Sequence, residues 1–209
     1  MTTFAPITLN CPACHEDFES SVVASCGYAS TRSDYRPNYW GANPTEFHYH
    51  LCPSCGFCGR RKVFELTINI SELNNELKEL PIPERGMLSD RIVHAIKCLE
   101  LLVKHKIMKS DPYDFASEWV TAYWWARNKN REKQYAMKAL NLFEKAFSQH
   151  LIPLEQRATT KYLMGEINRR IGRKEEAHTY FDEVIELTKK GTQIHDLALR
   201  QKTAPEDNI

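Results

Sequence analysis

Two short cysteine pairs are the residues of this chain best suited to chemistry. Cys11 and Cys14 lie in the sequence CPAC, and Cys52 and Cys55 lie in CPSCG. A Cys-x-x-Cys turn places two thiolates on one side of a tight loop, at the spacing that a tetrahedral zinc ion requires of two ligands. Four cysteines would leave no coordination position open. The spacing therefore predicts a structural Zn²⁺ and no catalytic residue.

The chain has three further cysteines, and two of them allow alternative sets of metal ligands. Cys58 extends the second pair to a Cys-x-x-Cys-x-x-Cys run, which an iron–sulfur cluster could use. Cys26 is interpreted as a bystander thiol, and Cys98, in AIKCLELL, as a core residue of a helix. The sequence leaves open whether Cys58 or Cys26 replaces one of the four predicted ligands.

Short strands are predicted around the cysteine pairs. The segment EFHYHLC alternates with a period of two, which is typical of a strand leading to Cys52. The segment KVFEL is interpreted as a closing strand. His15, His48 and His50 could bind a metal, but four cysteines already complete a tetrahedral site. Residues 1–65 are therefore predicted to form a small zinc-ribbon-like β module.

Composition limits the class of protein. The chain has 209 residues, 42% of them hydrophobic, and a formal net charge of +1. No run approaches the roughly 18 apolar residues that a membrane helix needs, and the N-terminal sequence lacks the pattern of a secretory signal. Seven cysteines, four of them in paired turns, suggest metal binding in a reducing compartment. The predicted location is the cytoplasm, with no membrane partner.

The second half of the chain has the periodicity of helices. From Ser89 onward, apolar residues recur at steps of three and four. Asp111 followed by Pro112 predicts a helix start, and Gly172 and Gly191 predict helix ends. We predict an α+β protein whose domains are a zinc-ribbon-like module over 1–65, a short helix capped by Ser71 and a hinge at PIPERG within 66–86, an all-α domain over 87–202, and a tail over 203–209.

One helical stretch carries a repeat signal. GEINRRIGRKEEAHTYFDEVIEL places Gly165, Gly172, Ala177 and Phe181 in the order typical of a tetratricopeptide (TPR) repeat of about 34 residues. Small residues allow two helices to approach closely, and the ring fills the space between them. We predict two irregular TPR-like repeats and a capping helix. A plain antiparallel bundle has the same periodicity and is the alternative.

The loop DYRPNYWGANP, residues 34–44, combines turn-forming residues with aromatic rings. Tyr35, Tyr39 and Trp40 either cover the small zinc core, which is the interpretation we favour, or line a binding surface.

A longer string containing this loop resembles a known family. RSDYRPNYWGANPTEFHYHLCPSCGF, residues 32–57, with CPAC before it and TPR-like helices after it, resembles the uncharacterised prokaryotic domain-of-unknown-function family number 2225. The resemblance implies a zinc-ribbon-type head joined to a helical tail, with Cys11, Cys14, Cys52 and Cys55 as metal ligands. It implies no catalytic residue, because the family has no established activity. Cys58 departs from the family's usual pattern, in which a small apolar residue is common at that position.

The favoured function is that of a zinc-binding protein-interaction module. The metal would organise the head, and the helical domain would present a groove to another protein or a peptide. Chelation is then expected to unfold residues 1–65 and to leave the helices largely intact. The candidate groove residues are Arg127, Asn128, Asn168, Arg169 and Arg170, for which a solvated face is the alternative interpretation.

Two other functions are considered. An enzyme or thiol-based redox sensor would use the 34–44 loop with Cys58 as a free thiolate, although no spacing matches a known catalytic motif. Nucleic-acid binding would use Arg60, Arg61 and Lys62. Residues 1–65 carry five Lys and Arg against six Asp and Glu, a balance that offers little to a phosphate backbone.

Overall fold

The computed structural model describes residues 2–66, 70, 73–81, 83 and 87–209. Within these ranges, six short strands are followed by eight α-helices, which confirms the predicted α+β class. The strands are β1 (Thr3–Asn10), β2 (Asp17–Ser25), β3 (Tyr28–Thr31), β4 (Pro37–Tyr39), β5 (His50–Leu51) and β6 (Cys58–Gly59). The helices are α1 (Arg61–Phe64), α2 (Asn74–Glu79), α3 (Leu88–Lys104), α4 (Pro112–Trp124), α5 (Lys129–Ser148), α6 (Arg157–Arg170), α7 (Lys174–Leu187) and α8 (Gln193–Thr203).

The strands form three two-stranded sheets, in which β1 pairs with β2, β3 with β4 and β5 with β6. β1 and β2 are antiparallel, and Leu9 lies opposite Phe18. β5 and β6 are also antiparallel, and Leu51 lies opposite Cys58. Each cysteine pair therefore lies in the connection between two paired strands.

Two strand predictions are wrong. Most of EFHYHLC is not extended, because Pro44–His48 forms a 3-10 helix and only His50–Leu51 is a strand. The side chain of Asn43 starts this helix by accepting a hydrogen bond from the Thr45 N–H at 3.0 Å. The segment KVFEL is also helical, because Arg61–Phe64 forms α1.

Helix α1 places Phe64 in an aromatic cluster. Its ring centroid lies 5.5 Å from that of Phe18, on β2, and 5.4 Å from that of Phe57, which follows the second cysteine pair. All three rings are buried. Edge-to-face pairs at such distances contribute about 0.5–1.5 kcal/mol each beyond their burial. The cluster therefore joins the β1–β2 and β5–β6 hairpins.

Helix α3 packs against the second hairpin. The imidazole Nε2 of His94 lies 2.7 Å from the carbonyl oxygen of Gly56. The neighbouring apolar residues Ile92, Ala95 and Ile96 are buried, so that one stripe of α3 faces the core.

The chain forms two compact units. The first comprises the chain up to Tyr28 together with Tyr39–Ser110, and the second comprises Ala29–Asn38 and Asp111–Ile209. The first unit thus contains α3 together with β1, β2, β5 and β6, whereas residues 29–38, with most of β3 and β4, belong with the later helices. That residues 1–65 and 87–202 form separate domains remains a prediction. Ser71 and residues 82 and 84–86 of the predicted hinge lie outside the described residues.

Two helix boundaries of the second unit follow the predicted signals, and one does not. The carboxylate of Asp111 accepts hydrogen bonds from the Tyr113 and Asp114 N–H groups at 2.8 and 3.0 Å, which confirms the predicted start of α4. Gly172 directly follows the C-cap of α6 with a φ of +87°, which confirms the helix end predicted there. The helix end predicted at Gly191 is wrong, because α7 ends at Leu187 and Gly191 lies in the following turn with a φ of +85°. Glycine is the residue best suited to these left-handed positions.

Helices α6 and α7 approach closely because residue 165 has no side chain. A Cβ atom on Gly165 would lie 2.6 Å from Cε1 of Phe181. Phe181 is buried in a core cluster with Tyr162, Ala177 and Val184. The close approach predicted for Gly165 and Phe181 is confirmed, and the assignment of a TPR-like repeat remains a prediction.

We expect Gly165→Ala to lower the free energy of unfolding by about 2 kcal/mol, since the added methyl group overlaps the Phe181 ring. Helix propensity alone would instead raise stability by about 1 kcal/mol. Urea denaturation followed by circular dichroism measures the difference. The control is the same change in a Phe181→Leu background, where the smaller side chain should reduce the loss. A Gly165→Ala variant that is more stable than the parent would contradict this packing.

Candidate metal centre

The four predicted ligands come together in the structure. The Sγ atoms of Cys11, Cys14, Cys52 and Cys55 all lie within 4.8 Å of one another. Cys11 Sγ lies 3.5 Å from Cys55 Sγ, and Cys14 Sγ lies 3.6 Å from Cys52 Sγ. Sulfurs around a tetrahedral zinc ion with Zn–S bonds of about 2.3 Å are roughly 3.8 Å apart, whereas disulfide sulfurs are about 2.05 Å apart. The cluster therefore has the dimensions of a tetrahedral metal site.

The two cysteine turns share one backbone pattern. In each turn, the N–H of the first cysteine donates to the carbonyl five residues later, at 3.0 Å from Cys11 and 2.9 Å from Cys52. The N–H four residues after that cysteine donates back to its carbonyl, at 2.8 Å from His15 and 3.0 Å from Gly56. Two separate sequences therefore present their sulfurs from equivalent turns.

Both turns require a left-handed residue at the same place. Gly56 has a φ of +78°, and His15 occupies the corresponding position with a φ of +61°. A residue with a Cβ atom is disfavoured there by roughly 1–2 kcal/mol. The Asn10 side chain supports the first turn, because its Nδ2 donates to the His15 carbonyl at 3.1 Å and to Asp17 Oδ1 at 2.8 Å.

Hydrogen bonds to sulfur favour ionisation of part of the cluster. The thiol of Cys55 donates to Cys11, and together with the N–H groups of Cys14 and Ala13 it lowers the pKa of Cys11 to about 5. The same contact raises the pKa of Cys55, and burial raises the pKa of Cys14. A divalent cation would supply the positive charge that allows all four sulfurs to be thiolates. The donor set therefore fits Zn²⁺.

The four sulfurs differ in their access to solvent. Cys11 and Cys52 are buried, whereas Cys14 and Cys55 are half-buried. Cys14 and Cys55 line a cavity of about 410 Å³ together with residues of α2, including Asn74 and Lys78. Asn74 Nδ2 donates to the Ala13 carbonyl at 3.2 Å, so that α2 lies beside the first turn. One side of the candidate site is therefore enclosed, and the other faces a cavity.

The remaining cysteines lie elsewhere. In the described part of the chain, the four-sulfur group contains neither Cys26 nor Cys58. Cys26 is exposed, and Cys58 is buried with its Sγ 3.8 Å from the Arg91 carbonyl. Burial raises the pKa of the Cys58 thiol, and it raises the pKa of Cys98 to about 11. The predicted core position of Cys98 is confirmed, and Cys58 is a poor thiolate nucleophile.

The histidines near the pairs are also outside the sulfur group. Among the described residues, none of His15, His48 and His50 belongs to it. His50 is buried, and its Nδ1 lies 2.7 Å from Ser20 Oγ. The arrangement agrees with the expectation that cysteines alone form the site.

The aromatic loop is not a cover for the metal site. Tyr35 lies in the second unit, where its ring centroid is 5.4 Å from that of Tyr162. Trp40 is 57% exposed and packs beside Gly27, whose ideal Cβ would lie 3.1 Å from the indole. The favoured interpretation is therefore wrong for Tyr35, which packs against Tyr162, and for Trp40, which is mostly exposed.

Most of the predicted groove residues are engaged within the chain. Asn168 is buried, and its Nδ2 donates to the Met164 carbonyl at 2.8 Å. Asn128 starts α5 by accepting from the Arg131 N–H at 2.9 Å. Arg169 and Arg170 bind the buried carboxylate of Glu166 and the residues around Ser33. For Asn168, Arg169 and Arg170 the expectation of a place in an open groove is wrong, whereas Asn128 is exposed.

The sequence reasoning missed a buried network of charges in the second unit. Asp34 and Glu166 are fully buried carboxylates. Arg32 Nε donates to Asp34 Oδ1 at 2.9 Å, and the Tyr123 hydroxyl donates to Asp34 Oδ2 at 2.8 Å. The signal in the sequence is the density of charge in RSDYR, residues 32–36, which overlaps the turn-forming aromatic loop at 34–44.

Fold and site together define an α+β protein with a four-cysteine candidate metal centre and a helical unit. The sequence model of a family described as an uncharacterized protein conserved in bacteria, domain of unknown function 2225, matches residues 6–204. The chain belongs to this family, which confirms the resemblance. Comparison with curated proteins and with solved structures gives no match. Among the described helices, none has the length and apolar character to cross a membrane.

We expect the thiols to differ in their rates of alkylation. In the native protein, iodoacetamide should label Cys26 rapidly and Cys58 and Cys98 slowly, because the last two are buried and have raised pKa values. Mass spectrometry of the labelled peptides measures each rate. In urea all three should react. Equal rates for Cys58 and Cys26 in the native protein would contradict this assignment and restore the redox-sensor hypothesis.

The Asp34 carboxyl should make stability depend on pH. Burial alone would raise its pKa, but the hydrogen bond and charge of Arg32 and the charge of Arg170 outweigh burial and hold the pKa below its ordinary value. A lowered pKa stabilises the fold above the unfolded value of about 3.9, and this contribution is lost as the pH falls through the folded value.

At pH 7, Asp34→Asn should therefore reduce the free energy of unfolding by about 3 kcal/mol, since it leaves buried guanidinium groups without their carboxylate. Its stability should also change less than that of the parent between pH 5 and about pH 3. Urea titrations at each pH measure both effects. Glu186→Gln, at an exposed position of α7, is the control. An Asp34→Asn variant with the stability and pH dependence of the parent would exclude this role.

Proposed function

We propose that this protein is a zinc-binding protein-interaction module in which the metal has a structural role. The observation that carries the proposal is the approach of four cysteine sulfurs to within 4.8 Å of one another. Four thiolates fill a tetrahedral coordination sphere and leave no position for water or substrate. The metal would stabilise the fold instead of activating a reactant, and its binding energy would become folding energy.

Zinc is favoured by the chemistry of the donors. Thiolate sets arranged as a tetrahedron bind zinc or iron, whereas magnesium and calcium require oxygen ligands. The matching turns bring the sulfurs to the separation of a site for one ion. Together with the predicted cytoplasmic location, these features support a single structural Zn²⁺ bound by Cys11, Cys14, Cys52 and Cys55.

The helical unit is the proposed partner-binding part. Its helices follow one another as α4 and α5, α6 and α7, and then α8, and the contact of Gly165 with Phe181 supports a TPR-like pairing of α6 with α7. Stacked helix pairs of this kind form extended surfaces that bind other polypeptides. We propose that the partner is a protein or peptide and that the protein acts in the cytoplasm.

The alternative functions have less support. Cys58 is buried with a raised pKa, and Asp34 is buried in ion pairs, so neither is available to a substrate. Of the basic residues considered for nucleic-acid binding, Arg60 lies over the Tyr49 ring at 4.9 Å, and Arg61 pairs with Glu65 at 2.6 Å. Both arginines therefore already have partners within the chain.

Metal analysis tests the proposal. The protein purified without added metal should contain zinc in an equimolar amount, and Cys52→Ser should lose it because one of four thiolates is removed. Cys26→Ser is the matched control, since it changes a cysteine outside the sulfur group. Elemental analysis by mass spectrometry measures zinc and iron together. A parent protein that contains iron, or that binds no metal, would refute the structural zinc site.

A further inference from the structure

Residues 29–38, here named the docked segment, belong to the helical unit although the chain on both sides of them belongs to the first unit. The segment includes most of β3 and β4, which pair with each other, and the turn between them. The Arg32 N–H donates to the Arg36 carbonyl at 2.8 Å and closes this turn. The docked segment is therefore the end of a hairpin that packs among the helices.

Asp34 makes buried polar contacts with two helices of the unit. Besides its bonds to Arg32 and Tyr123, the Asp34 carbonyl accepts a hydrogen bond from Trp124 Nε1 at 3.2 Å. Its carboxylate also lies 3.7 Å from Arg170 Nε. Tyr123 and Trp124 end α4, and Arg170 ends α6, so this one residue joins the segment to both helices.

Ser33 makes a second set of buried contacts. Its hydroxyl donates to Glu166 Oε2 at 2.5 Å and accepts from Arg170 Nη2 at 2.7 Å. Its N–H donates to the carbonyl of Asp207 at 3.0 Å. The end of the chain therefore helps to hold the segment, and the Ile209 N–H donates to the Thr31 carbonyl at 2.9 Å.

Aromatic and cationic contacts complete the docking. The Tyr35 ring packs against Tyr162 and the core cluster around Phe181. The Arg36 guanidinium lies over the Trp125 ring at 5.3 Å and donates to the Trp124 carbonyl at 3.3 Å. Such a contact is attractive because the face of the indole ring carries partial negative charge.

The docked segment contacts the first helix of each helix pair. In the described structure, its hydrogen bonds to helices are with residues of α4, the first helix of the α4–α5 pair, and of α6, the first helix of the α6–α7 pair. A polypeptide turn held by backbone and side-chain hydrogen bonds, with a ring set into an apolar cluster, has the features of a bound peptide. The segment thus occupies a face with the chemistry of a peptide-binding surface.

The sequence position of the segment links it to the sulfur group. Residues 29–38 lie in the connection that runs from Cys14 to Cys52, and the sulfurs of these two cysteines are 3.6 Å apart. Metal binding would close this connection into a loop. A closed loop has fewer conformations than an open chain, so less entropy is lost when part of it docks.

We propose that the docked segment is a built-in occupant of the peptide-binding face of α4 and α6, and that metal binding by the four cysteines favours its docked state. The inference rests on the proposed zinc site, and it adds that metal binding regulates access to the proposed partner-binding face. Loss of metal releases the segment and opens the face. A partner peptide that takes its place must offer a carboxylate for Arg170 and Tyr123 and an aromatic ring for the site of Tyr35.

Linkage makes the effect reciprocal. If metal strengthens docking by a given factor, docking strengthens metal binding by the same factor. We expect about tenfold, which lies within the range typical of coupling between two sites. Chelation should therefore affect part of the helical unit as well as residues 1–65.

Hydrogen–deuterium exchange of the full chain, with zinc and after chelation, tests the first direction. The amides of Ser33 and Ile209 donate across the docking contacts, so peptides that contain them should exchange about tenfold faster without metal. A peptide from the middle of α5 is the internal control and should change little. Unchanged exchange at 29–38 and 206–209, while the amides of Cys11 and Cys52 lose protection, would overturn the inference.

Zinc affinity measured by competition with a chromophoric chelator tests the second direction. Asp34→Asn should weaken zinc binding by the same factor of about ten, although residue 34 is outside the sulfur group. Ser33→Ala is a second test variant, which removes the hydroxyl contacts to Glu166 and Arg170 without leaving a buried charge unpaired. It replaces Asp34→Asn in the test if Asp34→Asn lowers the helical circular dichroism. Glu186→Gln is the control. An affinity equal to that of the parent in a folded Asp34→Asn or Ser33→Ala variant would overturn the inference.

The two proposals fail in different ways. A parent protein without bound zinc refutes the proposed function itself. A protein that binds zinc at the four cysteines, with exchange and affinity unaffected in these experiments, refutes only the link between the metal and the docked segment.

Discussion

Four sulfur atoms within 4.8 Å of one another set the main constraint on this molecule. Four thiolates at that separation repel each other, and backbone N–H groups and a shared proton offset only part of the repulsion. A divalent cation bound between the thiolates would offset the rest of this repulsion. An isolated two-stranded hairpin is marginally stable at best, so the β1–β2 and β5–β6 hairpins depend on the contacts between them, which the sulfur group and the aromatic cluster around Phe64 provide.

The helical unit contains a second electrostatic constraint, because it buries two carboxylates that need compensating charge. Asp34 and Glu166 are fully enclosed, and each is matched by arginines and by a hydroxyl donor. Buried ion pairs add little net stability compared with apolar packing, but removal of one partner is costly. Such a network therefore selects one docked arrangement of residues 29–38 over others.

Local rules accounted for much of the structure. The Asp111 cap follows from interactions between residues close in sequence, and the contact of Gly165 with Phe181 follows from steric fit. The meeting of the two cysteine pairs is long-range, but the Cys-x-x-Cys spacing of each pair predicts it because a tetrahedral metal site needs four ligands. Short segments such as KVFEL were ambiguous, because four or five residues do not distinguish a strand from one helical turn. The docking of Ser33 against Glu166 depends on residues far apart in sequence. Neither periodicity nor spacing contains that information.

The uneven enclosure of the sulfurs has a kinetic consequence. Cys14 and Cys55 adjoin the cavity beside α2, while Cys11 and Cys52 are shielded from solvent. A competing ligand or a metal donor would reach the ion from the cavity side, so exchange should begin with the bonds to Cys14 and Cys55. Each of these residues comes from a different hairpin. Partial dissociation would therefore leave one sulfur–metal bond to each hairpin and preserve the bridge between them until the final step.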